Sequence, residues 1–371
     1  MFKSLRSFLC CAVLLTNMAY AQENYSNSIE FSPQVSVGVF TANQKLTGTA
    51  YGGELLYHIN TLGNESNWMR SMRLKSINVV FNYKNMSDVK LAADPKPGII
   101  GDSFALLGGL NISLLKLGKT ELLFSPAFGL GYASKTFFTN GNPLIGSHIN
   151  FTSRAGLKLA TAITSSTQIA AGIDVLHYSN AAVRVPNNGM NSANVSLGII
   201  QSIGSNEKPD ATDISNFQHK RHSFDLGVNM GRRGVYKSKD GYFRTGLYAG
   251  YNFRVNSIIG LSAGSDAVYY HSVFNPNDFD RTYQSFATSY EHWRVGAAVG
   301  PDIWMGRLAL MVKYGYYLHY NSYRDNHTYW TAGMKYSVLD WAAVQAKIYI
   351  HKTEADFVGF GLIFTPTQLF N

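Results

Sequence analysis

His177 and Ser179 stand two residues apart in the run Ile169 to Asn191, IAAGIDVLHYSNAAVRVPNNGMN, and they are the residues of this chain best suited to covalent chemistry. A serine hydroxyl attacks an ester carbonyl usefully only when a neighbouring base takes its proton, and histidine is the usual base near neutral pH. Residues i and i+2 of a strand project to the same side. A strand over Thr167 to Ser179 therefore sets base and nucleophile side by side, on a face that also carries Ile169, Ala171, Ile173 and Val175. In a soluble protein that face is core and a poor place for hydrolysis, whereas on a membrane barrel it faces lipid. The combination points to an enzyme whose substrate is itself a lipid.

Such a pair needs a third group to orient the imidazole and hold its tautomer. Asn191 continues the same odd-numbered face, which carries Val195, Leu197 and Ile199 on the following strand, and is the candidate. Asn180 and Asn187 are candidates to donate hydrogen bonds to an oxyanion. Asp174 falls by parity on the opposite face. Taken alone, a His-x-Ser pair is also what two strand-end side chains bonded to solvent or headgroups look like.

The elements around the pair follow from composition and patterning. The chain opens with Lys3 and Arg6, continues through an apolar stretch from Phe8 to Leu15, and reaches Ala19-Tyr20-Ala21 before Gln22. This is the pattern of a secretory signal peptide over residues 1–21, with cleavage after Ala21. Both cysteines, Cys10 and Cys11, lie inside it, so the expected mature chain has no disulfide or thiol chemistry. Without Lys3 and Arg6 the chain keeps 30 Lys+Arg against 23 Asp+Glu, a net charge of +7 that suits an anionic membrane surface. No apolar run beyond the signal reaches about 18 residues, so no transmembrane helix is expected. Export, abundant Tyr, Phe and Gly, and many alternating segments point to an all-β, antiparallel transmembrane β-barrel in the outer membrane.

Plausible strands in the first half are Gln34 to Thr41, Ala50 to Ile59, Leu74 to Tyr83, Ser103 to Ile112, Glu121 to Ala133, Thr152 to Thr161, Thr167 to Ser179 and Ala193 to Ile203. Short connections at Leu117 to Thr120 and Thr164 to Thr167 contrast with long ones at 60–73, 84–102, 134–151 and 180–192, the habit of barrels with tight turns at one end and long loops at the other. The stretch 205–221, SNEKPDATDISNFQHKR, reads as a polar linker or long loop between a half spanning 22–204 and a second spanning 222–371. Strand patterning resumes at Phe224 and recurs at Tyr242 to Arg254, Arg294 to Val299, Leu308 to Tyr320, Tyr329 to Tyr336, Ala342 to Ile350 and Phe357 to Phe364. Roughly 14 to 16 strands result, enough for one wide barrel or for an eight-stranded barrel plus a second β unit. A five-residue echo, Leu176-His177-Tyr178-Ser179-Asn180 against Leu318-His319-Tyr320-Asn321-Ser322, is too short to establish duplication.

The segment HYSNAAVRVPNNGMN resembles the active-site motif of the lipid A 3-O-deacylase family, which includes exported acyloxyacyl hydrolases: H-x-S-N, a Pro-Asn-x-Gly turn, then a third catalytic position. Here these are His177, Ser179, Asn180, Pro186-Asn187-Asn188-Gly189 and Asn191. The phrase Ile145 to Asn150 and the stretch Lys352 to Phe364 also resemble long members of the family. The resemblance covers most of the expected mature chain, although its specific part is the motif. It implies an outer-membrane barrel whose catalytic residues face outward near the membrane boundary and cleave an ester-linked acyl chain from lipid A of lipopolysaccharide. Ser179 would be nucleophile and His177 general base, with Asn180 and Asn187 at positions associated with oxyanion stabilisation. The family places Glu where this chain has Asn191, so orientation is kept and a charge is lost. The second half has no counterpart in the small deacylase barrel.

Two other readings use the same residues. A non-catalytic barrel, whether porin, transporter or structural protein, would keep the motif without turnover; a soluble lipid-binding β-protein would need no membrane. No cofactor is implied, and no metal site either, since the histidines are scattered without an H-E-x-x-H pattern. Nothing indicates a nucleic-acid partner, and the oligomeric state is open.

Overall fold

The computed structural model describes residues 25–41, 44–64, 66–206, 220–274, 289–322, 326–352 and 354–366. The expected signal peptide lies outside these residues, as do positions 207–219 of the polar stretch.

Alternation of polar and apolar residues dictates an inside-out architecture. In β1 (Asn27–Phe40), Glu30, Ser32, Gln34 and Ser36 are buried while Ile29, Phe31, Val35 and Val37 are exposed. Two-residue strands β2 (Leu46–Thr47) and β5 (Lys90–Leu91) pair with each other in the loops. The other strands continue the pattern of β1: β3 (Tyr51–Asn60), β4 (Leu74–Asn85), β6 (Asp102–Leu117), β7 (Thr120–Phe124), β8 (Ala127–Ala133), β9 (Ile149–Ala162), β10 (Thr167–Ser179) and β11 (Met190–Ile203). Each pairs antiparallel with its neighbours and β11 closes on β1. The segment expected as one strand over Glu121 to Ala133 is interrupted at Ser125-Pro126, where proline offers no ladder donor, and β7 and β8 together occupy one position between β6 and β9.

A second closed barrel contains β12 (His222–Gly234), β13 (Gly241–Arg254), β14 (Ile259–Tyr270), β15 (Trp293–Met305), β16 (Leu308–His319), β17 (Thr328–Ser337), β18 (Ala342–His351) and β19 (Glu354–Phe364). The protein is thus two eight-stranded antiparallel barrels. A single wide barrel is ruled out because both edges of β1 are taken by β3 and β11, and both edges of β12 by β13 and β19, leaving no edge to join the halves. The strand β14 has no counterpart among the segments expected from alternation, because its outward positions include Ala263, Ser265 and Ala267 and the apolar contrast is faint. The connection 61–73 also departs from expectation: despite its length and its one-turn helix at Asn67–Ser71, it lies at the same end as the tight turns.

An eight-stranded barrel is just wide enough for side chains to fill its interior. In the first barrel, Lys158 Nζ donates to Glu30 at 2.6 Å and His58 Nε2 lies 2.9 Å from the same carboxylate. Arg154 meets Glu54 at 3.3 Å, and Asp174 accepts from Gln34 at 3.1 Å and from Asn194 at 2.6 Å. In the second, Lys335 pairs with Asp225 and Lys347 with Asp266, while Arg233, Arg244 and Arg294 converge on Asp356. Removing one partner strands a buried charge, which costs about 3–5 kcal/mol. Glu30→Ala should therefore lower unfolding stability in urea by about that amount, whereas the paired change Glu30→Gln with Lys158→Met should recover most of the loss; equal stability of both variants would show that the pair is not a structural element.

Candidate active site

The loop end of β10 delivers both residues of the pair. Ile173 and Val175 are exposed on the outer wall, His177 and Ser179 are half-buried on the same side, and Leu176 and Tyr178 are buried opposite them. Antiparallel pairing places His177 across from Asn191 of β11 and from Ser153 of β9, and places Ser179 across from Phe151. Parity and register thus bring His177, Ser179 and Asn191 to one outward face.

Asn191 Oδ1 lies 2.7 Å from His177 Nδ1, and Asn191 Nδ2 donates to the Phe40 carbonyl at 3.1 Å. The second bond settles which way the amide points, since only its nitrogen can donate to a carbonyl. The oxygen then faces the ring and accepts from Nδ1–H, which leaves Nε2 as the basic nitrogen. Gly189 closes over the imidazole with φ +69; a Cβ there would sit 3.0 Å from His177 Cε1.

The Ser179 hydroxyl oxygen accepts from Asn187 Nδ2 at 2.9 Å and from the Ala181 backbone N–H at 3.2 Å. Among the described residues it has no hydrogen bond to His177. Asn187 is held in turn: its Oδ1 accepts from Asn180 N–H at 3.1 Å, and its backbone bridges to Ile145. The side chain of Asn180 is buried and turned away from Ser179, donating to Ser147 Oγ at 2.8 Å. Of the two candidate oxyanion donors, the side-chain amide of Asn187 therefore faces Ser179 and that of Asn180 braces the loop. Asp174 is locked in the lumen by Gln34 and Asn194, out of reach of the imidazole.

Three further residues complete the arrangement. Ala181 contributes a main-chain donor, which no side chain announces; Ser147 anchors Asn180; Gly189 makes room for the ring. The first lies in an unusual backbone, because Ala181 and Ala182 both adopt left-handed conformations at φ 50 and 65. The echo at Leu318 to Ser322 places His319 at the loop end of β16, with Nε2 2.8 Å from Glu291, but Asn321 stands at the position matching Ser179. At that position the second barrel has the histidine and a carboxylate, with an amide in place of the serine.

Closed antiparallel barrels with charged lumens and apolar outer walls define the outer-membrane class of β-barrel. Two family models match: "Lipid A 3-O-deacylase (PagL)" over residues 77–199 and "Acyloxyacyl hydrolase, C-terminal domain" over residues 222–368. The chain belongs to the lipid A 3-O-deacylase family. No curated protein matches it. Among solved structures it is similar to the outer membrane enzyme PagL, with 22% identity, 47% of this chain and 99% of that one covered, and a TM-score of 0.31. It is also similar to the Acinetobacter baumannii outer membrane protein Omp33 at 9% identity, with 92% and 98% covered and a TM-score of 0.18. The Pseudomonas putida toluene transporter TodX aligns at 10% identity, with 95% and 93% covered and a TM-score of 0.18. At these scores the fold rests on the strand pairings of this chain.

Gly189→Ala should cost roughly 1–2 kcal/mol through its left-handed backbone and push the imidazole off Asn191. Urea unfolding measures the first effect and the ¹⁵N shifts of His177 the second; an unchanged ring environment would refute the packing described here.

Proposed function

We propose that this protein is a serine esterase of the outer membrane that removes an ester-linked acyl chain from lipid A, remodelling lipopolysaccharide from the lipid-facing wall of its first barrel. One observation carries the reading: an imidazole with Nδ1 fixed by Asn191, on the same outward face as a serine whose oxygen already lies between two hydrogen-bond donors. Membership of the deacylase family supports the substrate.

Ser179 Oγ turns to His177 Nε2, which takes its proton as the oxygen bonds to the acyl carbonyl carbon. Negative charge gathers on the former carbonyl oxygen, where Asn187 Nδ2 and Ala181 N–H are placed to stabilise it; removing one such donor typically costs about 10²–10³ in rate. The bond to the sugar oxygen breaks, His177 returns the proton to that leaving oxygen, and water then releases the fatty acid by the same steps in reverse order. The apolar wall formed by Ile173, Val175 and their neighbours solvates the chain being removed.

Asn191 orients the ring without a charge to offset the imidazolium that forms. The family's glutamate would supply one, so the arrangement favours the correct tautomer over the fastest proton transfer. The ion pairs that cross both lumens favour this reading over a conducting channel.

Ser179→Ala and His177→Ala should each reduce release of 3-hydroxy fatty acid from lipid A by about 10³-fold or more, with the barrels still folded; mass spectrometry of lipid A from cells expressing each variant measures this, and full activity in both would sink the assignment. Asn191→Glu should raise kcat by about tenfold, the scale on which a single charge acts at such a site, whereas Asn191→Leu should lower it; a glutamate variant slower than the leucine variant would contradict the orienting role.

A further inference from the structure

The second barrel touches the first at the segment that follows the nucleophile. Gly234 N–H at the end of β12 donates to Ala182 O at 2.8 Å, Lys237 N–H donates to Val185 O at 3.1 Å, and Val185 pairs with Tyr236 in a parallel bridge. Arg232 Nη1 donates to Val183 O at 3.0 Å, and its Nη2 donates to Lys239 O at 2.9 Å, an oxygen that Arg184 also reaches. Three successive carbonyls or near neighbours of the loop, at Ala182, Val183 and Val185, are thus occupied from the second barrel. The approach is close: a Cβ on Gly234 would lie 2.9 Å from both Arg184 Cα and Val183 O.

The clasped segment is the one that needs holding. Ala181 and Ala182 are consecutive left-handed alanines, a conformation that lasts only where the surroundings over-determine it. Ala181 N–H reaches Ser179 Oγ because of that conformation, and the same loop runs on through Pro186 to Asn187, the other donor. A deacylase made of the first barrel alone would leave the Ala182, Val183 and Val185 carbonyls to solvent. Beside Ser179, the ring of its cross-strand neighbour Phe151 lies 6.0 Å from that of Phe360 of β19.

We propose that the second barrel is a positioning element of the catalytic site: through Arg232 and Gly234 it holds the Ala181–Pro186 loop in the left-handed path that aims Ala181 N–H and Asn187 Nδ2 at the reacting oxygen. The consequence for rate rests on the esterase reading; the consequence for the loop rests on the contacts alone.

The test uses the full chain in detergent with purified lipid A, comparing Arg232→Ala, Arg232→Lys and Gly234→Val with wild type, each shown to be folded by the change in gel mobility that boiling produces. Hydrogen exchange followed by mass spectrometry reads the loop directly. Exchange over residues 181–187 should accelerate in Arg232→Ala and Gly234→Val, while kcat falls roughly tenfold to a hundredfold, the scale of a lost oxyanion donor, with KM little changed. Arg232→Lys, which keeps one donor, should recover part of the rate. In an Asn187→Ala background, Arg232→Ala should add little, because both act through the same loop. Unchanged exchange overturns the clasp, and so does faster exchange with kcat intact; fully multiplicative losses in the double variant overturn the shared route. A wild-type protein that cleaves no lipid A but shows the loosened loop in the variants upholds the clasp and removes the esterase reading instead.

Discussion

Closure of each sheet on itself is the constraint from which the rest of this protein follows. A strand in a bilayer has no water to satisfy its N–H and C=O groups, so every strand must pair on both sides and the last must meet the first. Here β11 returns to β1 and β19 to β12. Once closed at eight strands, the walls have an inside too narrow for solvent channels and an outside given to lipid, and the period of two assigns each residue to one or the other. The chain answers with carboxylates, amines and guanidinium groups inside, matched in pairs such as Glu30 with Lys158 and Asp225 with Lys335.

The same closure locates the candidate site. Odd-numbered residues of β10 face outward, so His177 and Ser179 can only lie on the wall, and the antiparallel register then brings Asn191 opposite His177. An amide serves there because its nitrogen is anchored on Phe40, which fixes the tautomer of the imidazole without a formal charge. A carboxylate at that place would add electrostatic stabilisation of the imidazolium but would carry its own desolvation cost beside an apolar wall. The loop between β10 and β11 completes the arrangement by turning main-chain and side-chain N–H groups back onto Ser179.

Joining two small barrels rather than widening one has a physical rationale on this view. A wider barrel would open a lumen that side chains could not span, whereas a second closed unit keeps ion pairs across both interiors and presents an edge at Gly234 to the loop beside Ser179. Strained backbone near a reacting group persists when something rigid opposes its relaxation, and the consecutive left-handed alanines sit against that edge.

Much of this was legible in the order of residues. Strand positions with strong contrast, such as the alternating Phe224, Leu226, Val228 and Met230 of β12, announce themselves, and the shared face of His177, Ser179 and Asn191 follows from parity alone because a pleated strand has only two sides. Where the contrast weakens, the signal goes: β14 carries alanine and serine outward, and Pro126 breaks a strand whose two pieces still fill one place. One barrel or two was beyond reach, since closure depends on which distant edges hydrogen-bond, and the pairing of β11 with β1 spans the whole first half. The direction of Asn180, turned to Ser147, and the donation from Ala181 N–H were likewise invisible, because they depend on torsion angles and on a loop folded against a second barrel rather than on any side chain's chemistry. Local periodicity needs only neighbours in sequence to take effect; closure, loop path and the meeting of two barrels need partners far apart in the chain, and three dimensions to bring them together.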